Sequence, residues 1–259
     1  MLEERYHLSP ADPRTGLTVF CGSSSGNDPV YLAAADSLAV AIAHSGKTLV
    51  YGGGTKGLMG RVASSTLNAG GKVHGIIPSA FLSNEAPDRS SRLHPTREVE
   101  TVCGSMHERK RLFADRSTGF IGLPGGYGTL EEVMEMTTWS QIGVHKKPVV
   151  LLNVNGFYSP LRQFIEGAIA SGFIAPSNRN FLIFIDEPRA PQPRTTDTDT
   201  DAAGAAVAAA AAFDWGRAAL AAVDAWLELG TGGAEPFELE WRTDGGDDEG
   251  GPRDKTDVV

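Results

Sequence analysis

The sequence predicts an α/β protein built on a parallel sheet of about six strands with helices on both faces. Three observations predict it. Short apolar, β-branched runs alternate with longer segments of helical period, three of the six runs end in glycine-rich turns, and no internal repeat interrupts the alternation. With 259 residues, 41% of them hydrophobic, the chain is long enough for one such domain with a sizeable core.

The elements follow in order. A leader, residues 1–16, is charged and proline-bearing; it reads as neither a secretory nor a transit segment, so a cytoplasmic location is expected. "LTVFCGSSSG" is the first strand with a small-residue turn, and "PVYLAAADSLAVAIAHSG" the first helix, opened by proline and closed by glycine. "KTLVYGGG", "LMGRVASSTLNAGG" and "KVHGIIP" continue as strand, helix and strand. The polar stretch from Ser79 to Ser105 reads as a loop or flap beside the sheet. After it come a mixed-charge helix, "MHERKRLFADRS", and a strand, "TGFIGLPGG". "GTLEEVMEMTTWSQIG" is a helix, "KPVVLLNV" a strand, "PLRQFIEGAIASGFI" a helix and "NFLIFID" the last strand.

Composition then shifts. Residues from about 187 to 212 form a proline-, threonine- and alanine-rich low-complexity insert in the domain, which spans 17–230. A closing helix carries Trp215 and Trp226, whose bulk suits packing against the body. An acidic, glycine-rich tail, 231–259, is expected to be mostly disordered. The net charge of −9 argues against nucleic acid as a partner, and no apolar run reaches the length of a membrane span. Cys21 and Cys103 read as buried thiols in a reducing compartment, with no metal-like pair.

Three glycine-rich turns, "CGSSSG", "YGGGTKGLMG" and "LPGGYGT", fall at the carboxyl ends of strands, where parallel sheets bind ligands. Glycine lets backbone approach a ligand, and a following helix N-terminus offers amides to an anion, so the three suggest a phosphate cradle. "GGGTKG" matches GxGxxG, but no Asp or Glu occurs between Asp36 and Glu85 to hold a dinucleotide ribose. Leu58 stands where a Walker lysine would follow Gly57. A mononucleotide or sugar phosphate fits better.

Two constellations could act on such a ligand. Thr129 and Glu132 have capping-box spacing, which would make Glu132 a helix-start residue only; alternatively its carboxylate lies beside the phosphate turn, its pKa lowered by the helix dipole. In Arg109, Lys110 and Arg111 only one side chain is expected to enter a cleft, and Met106, three residues before Arg109, shares its face.

The runs "SMHERKRLF" and "LPGGYGTLEEVMEMTTWSQIG" resemble the LONELY GUY (LOG) family of cytokinin riboside 5′-monophosphate phosphoribohydrolases, with PGGxGTxxE intact as Pro124, Gly125, Gly126, Gly128, Thr129 and Glu132. The resemblance spans about residues 17–186. It implies a Rossmann-like homodimer, with dimers free to pair into a tetramer, that hydrolyses the N-glycosidic bond of N6-modified AMP without metal or other cofactor. By the same resemblance Arg109 and Glu132 are the catalytic pair. Gly22, Ser23, Ser24, Gly53, Gly54, Gly125, Gly126, Gly128 and Thr129 would hold the phosphate, with Met106 near the base and Lys110 counted among the substrate-binding residues. The family's older label, lysine decarboxylase, finds no pyridoxal-phosphate lysine site in this sequence. "TREVETVCGSM" departs from the family's usual acidic segment, so Glu98 and Glu100 receive no role. Two other readings stay open: a nucleotide or cofactor carrier without catalysis, and an N-glycosidase acting on plain AMP or another nucleotide.

Overall fold

A computed structural model describes residues 15–82, 96–188 and 213–229. The leader before residue 15, the insert beyond Pro188 and the acidic tail lie outside them. Among the described residues seven strands form one parallel sheet: β1 (Gly16–Phe20), β2 (Thr48–Tyr51), β3 (Lys72–Pro78), β4 (Glu98–Cys103), β5 (Phe120–Gly122), β6 (Val149–Leu152) and β7 (Leu182–Ile185). Their spatial order is β4-β3-β2-β1-β5-β6-β7, every neighbouring pair parallel.

The fold class is the expected one, with one strand more than the six counted. The addition is β4, part of the stretch read as a loop or flap. Among the described strands it sits at the sheet edge, paired to β3, and its residues up to Val102 are half-buried or exposed, so the apolar signal of a central strand is missing.

Among the described residues six α-helices cover the sheet: α1 (Pro29–His44), α2 (Gly57–Asn68), α3 (Met106–Asp115), α4 (Tyr127–Gln141), α5 (Ser159–Ala170) and α6 (Trp215–Leu229). Strand side chains alternate between two cores, as period two requires. Leu17, Val19, Val150 and Leu152 pack with α1, α2 and α6, whereas Phe20, Val149 and Leu151 pack with Phe113 of α3, Met136 of α4 and Ile165 of α5. Trp215 and Trp226 are both buried, which ties α6 to the body as their bulk predicted.

Local chemistry sets the helix starts. Asp28 caps α1 by accepting from the Val30 amide, with Pro29 at the first helical position, and Ser105 caps α3 by accepting from the Glu108 amide. α4 begins at Gly126 with no side-chain cap, so the amides of its first turn are left without a side-chain acceptor. Among the described residues no helix is long and apolar enough to cross a bilayer.

Candidate active site

Strand order reverses between β1 and β5, and the turns that leave these two strands meet at the carboxyl edge of the sheet. The Gly22 amide donates to the Pro124 carbonyl at 3.1 Å, joining the "CGSSSG" turn to the "LPGG" turn. The second glycine turn is tied in as well, because the Met59 amide donates to the Gly22 carbonyl and the Leu58 amide to the Ser24 carbonyl. Close approach explains Gly125: a Cβ there would stand 2.1 Å from Thr129 Oγ1 and 2.9 Å from the Gly22 nitrogen. Backbone amides therefore converge at the uncapped start of α4, the geometry that favours an anion.

Ser23, Ser24, Gly126 and Gly128 are exposed around this point, Gly22 and Gly125 are half-buried, and Thr129 is buried. Gly53 and Gly54 lie deeper. A Cβ on Gly53 would strike Ile77, and the Gly54 amide faces the Met59 sulfur at 3.2 Å, so both are packed into the floor of the turn.

The capping-box reading of Thr129 and Glu132 is corrected. The cap of α4 is Gly126, which places Thr129 at the third helical position and Glu132 in the second turn. Glu132 is consequently free of capping and turns inward, its side chain 12% exposed, with Oε1 3.6 Å from Arg109 Nη1.

Arg109 is held by the ends of two strands. Its Nε donates to the Ile76 carbonyl at 3.1 Å and its Nη2 to the Gly52 carbonyl at 3.0 Å, while its guanidinium lies over the Phe113 ring. A Cβ on Gly52 would come within 2.4 Å of Nη2, so a side chain there would displace the end of the arginine. Met106 opens α3 and is 40% exposed. The expectation that only one of the three basic residues enters the interior fails: Arg109 and Lys110 are both buried and only Arg111 is exposed. Lys110 is tolerated inside because it pairs with Glu131 and Glu135 of α4.

Electrostatics also depart from expectation. Burial pushes the Glu132 carboxyl up to about 7; Arg109 and Lys110 oppose this, and Glu131 and Glu135 add to it. The helix dipole does not lower it as expected, because that effect fades beyond the first turn, where Glu132 does not lie, while desolvation acts in full. Burial likewise raises the Cys21 thiol, with the nearby Glu132 charge adding to it, so Cys21 stays protonated at the end of β1.

Beside the cradle an open, mostly apolar cleft of about 360 Å³ is lined by Gly125, Gly126, Tyr127 and Leu130 from one side and Phe157, Tyr158, Pro160 and Leu161 from the other. The Tyr158 hydroxyl donates to the Leu123 carbonyl at 2.7 Å and braces the strand that leads into the turn. Sequence reasoning missed this brace and the two carbonyls that hold Arg109. It could have found the acidic partners of Lys110, since Glu131 and Glu135 are spaced i and i+4 on α4.

Fold and site together define an α/β protein with three glycine turns and an uncapped helix start at the switch point of its sheet, next to a buried carboxylate–guanidinium pair. Comparison with known proteins narrows that class. A family model described as "Possible lysine decarboxylase" matches residues 59–192. The probable cytokinin riboside 5′-monophosphate phosphoribohydrolase LOGL9 of Oryza sativa subsp. japonica is 49% identical over 173 residues, covering 67% of this chain and 73% of the relative. The cytokinin riboside 5′-monophosphate phosphoribohydrolase LOG5 of Arabidopsis thaliana is 48% identical over 172 residues, covering 66% and 72%. The chain belongs to the LOG family. Among solved structures, the molybdenum cofactor carrier protein MCP from Chlamydomonas reinhardtii shares the fold, with a TM-score of 0.50 and 21% identity over 81% of this chain and 98% of that one.

Proposed function

We propose that this protein hydrolyses the N-glycosidic bond of cytokinin riboside 5′-monophosphates, N6-modified forms of AMP, releasing the free base and ribose 5-phosphate. The observation that carries the reading is the buried Arg109–Glu132 pair beside an uncapped helix start, in a chain whose relatives bear that activity in their names. The 5′-phosphate takes the amides of the α4 start together with Ser23, Ser24 and Thr129, which fixes the ribose over Glu132. Lengthening of the C1′–N9 bond moves an electron pair to the base and leaves positive charge on the sugar, which the ionised carboxylate of Glu132 stabilises. Water adds at C1′ and the departing base gains a proton. Arg109, immobilised on two carbonyls, orients Glu132 and favours its ionised form.

A homodimer in the cytoplasm is part of the same proposal. It is supported by Tyr127, Phe164 and Phe173, large apolar side chains that are mostly exposed in the single chain. Sedimentation of the purified protein as a monomer would remove it.

The activity is tested by incubating the protein with isopentenyladenosine 5′-monophosphate, its riboside and AMP, and detecting free base by chromatography. Release from the N6-modified monophosphate, reduced about 10³-fold or more in Glu132→Gln, is expected. Nucleotide that binds by calorimetry but stays intact would make the protein a carrier; equal release from AMP would make it a less selective N-glycosidase.

A further inference from the structure

Lys110 follows Arg109 on α3 and is as deeply buried, yet its ammonium is already engaged. Nζ lies 2.5 Å from Glu131 Oε1 and 2.8 Å from Glu135 Oε2, so two of its three donors face carboxylates of α4. Those carboxylates flank Glu132 along the same helix. The groups around Glu132 are therefore Arg109 and Lys110 from α3, Glu131 and Glu135 from its own helix, and the neutral thiol of Cys21 at the end of β1.

We propose that Lys110 is a positioning residue that acts on the reaction through Glu132 and not on the substrate. By bridging Glu131 and Glu135 it pins α3 to α4 beside the Arg109–Glu132 pair and cancels the negative charge that would otherwise crowd the carboxylate. Without the ammonium, two uncompensated charges would hold the Glu132 proton more tightly, and the ionised form would be scarce at neutral pH. The Lys110 ammonium keeps its own charge in this setting, since burial alone would lower its pKa but the two carboxylates outweigh burial and hold it above its ordinary value.

The inference rests on the phosphoribohydrolase reading for its kinetic readout, so a second readout is included. Turnover of isopentenyladenosine 5′-monophosphate is followed from pH 5 to 9 in the wild type, Lys110→Met, Glu135→Gln and the triple variant Lys110→Met/Glu131→Gln/Glu135→Gln. The Glu132 carboxyl is titrated in the same proteins by carbon NMR. Lys110→Met should move the acid limb up by about one pH unit, lower kcat at pH 6 about tenfold and leave KM within about threefold. Glu135→Gln should move the limb down, and the triple variant should return it towards the wild-type position.

An unmoved limb with KM raised about tenfold would overturn the inference and make Lys110 a substrate contact. Failure of the triple variant to restore the limb would overturn it too. If Lys110→Met does not fold, the downward shift in Glu135→Gln decides. If the wild type releases no base, the phosphoribohydrolase reading fails by itself, and the carboxyl titrations still decide the role of Lys110.

Discussion

Glu132 should cost the fold stability at the pH where it works, and Glu132→Gln should recover it. The carboxyl stands at about 7 in the folded protein against an ordinary value of 4.5, because burial outweighs the help of Arg109 and Lys110. Between these values the folded state binds the proton and the unfolded state does not, so stability is full below about 4.5 and falls as pH rises towards 7. Integrating that difference from pH 5 to pH 8 gives a loss of about 2.5 kcal/mol for this one group. Glutamine resembles the protonated acid at every pH and should escape the loss. The assay is urea denaturation of wild type and Glu132→Gln at pH 5 and pH 8. Comparing the two proteins at each pH cancels the titration of all other groups and any fixed difference in hydrogen bonding. The variant should gain about 2.5 kcal/mol relative to wild type between the two pH values, a large part of a typical domain's stability. A gain under about 1 kcal/mol would refute the reasoning, because Arg109 would then hold Glu132 ionised at little cost.

Four further outcomes are expected. Arg109→Ala should lower turnover at least about 10²-fold and move the acid limb of the pH–rate profile upward, since Glu132 loses the cation that favours its charge; near-normal turnover would take arginine out of the pair. Gly125→Ala should weaken binding of the nucleotide monophosphate at least about tenfold by calorimetry, because the new methyl would collide with Thr129 and the Gly22 backbone; unchanged affinity would place the phosphate elsewhere. Trp215→Ala should cost about 3–5 kcal/mol in urea denaturation, as the side chain is buried in the core that α6 shares with α1 and α2, and a loss below about 1 kcal/mol would mean that α6 is dispensable. His74, buried on β3 and accepting from Arg116, is pushed down to about 4, first by burial and then by the Arg116 charge. Its unfolded form takes a proton at higher pH, so the His74 contribution to stability should decline as pH falls from about 6.5 towards 4, opposite in sign to that of Glu132, and His74→Gln should gain stability relative to wild type over that range in denaturation curves.

Much of the architecture is legible in the sequence because most strands are buried on both faces and three of them lead into glycine-rich turns. β4 escapes for a physical reason: "EVETVC" alternates acids with valines on an edge strand, and it follows a long polar stretch, so neither composition nor context marks it. The start of α4 lies three residues earlier than the capping-box spacing suggests, because Gly126 and Gly128 look like turn residues in sequence, whereas Gly126 is the cap and Gly128 the second helical position. That shift alone changes Glu132 from a candidate cap into an inward-facing carboxylate. Arg109 is visible as a residue type, but its two partners are backbone carbonyls on other strands, and a carbonyl leaves no trace in sequence. The rise in the Glu132 pKa is equally hidden, since desolvation depends on what the tertiary fold stacks over the side chain.

The junction of β1 with β5 also dictates when the protein becomes competent. Strands β1 to β4 can pair in the order in which they are synthesised, but the inner edge of β1 must wait for a partner about a hundred positions later; the Gly16 carbonyl accepts from Thr118, 102 residues away. Closing so long a loop costs entropy before any contact repays it, which makes this pairing a late and slow event. The cradle spans that same seam, through the Gly22–Pro124 bond. A nascent chain, or a fragment cut before residue 120, can therefore hold half a sheet and still lack the joined turns, so the proposed phosphate cradle would form only in molecules that have finished folding.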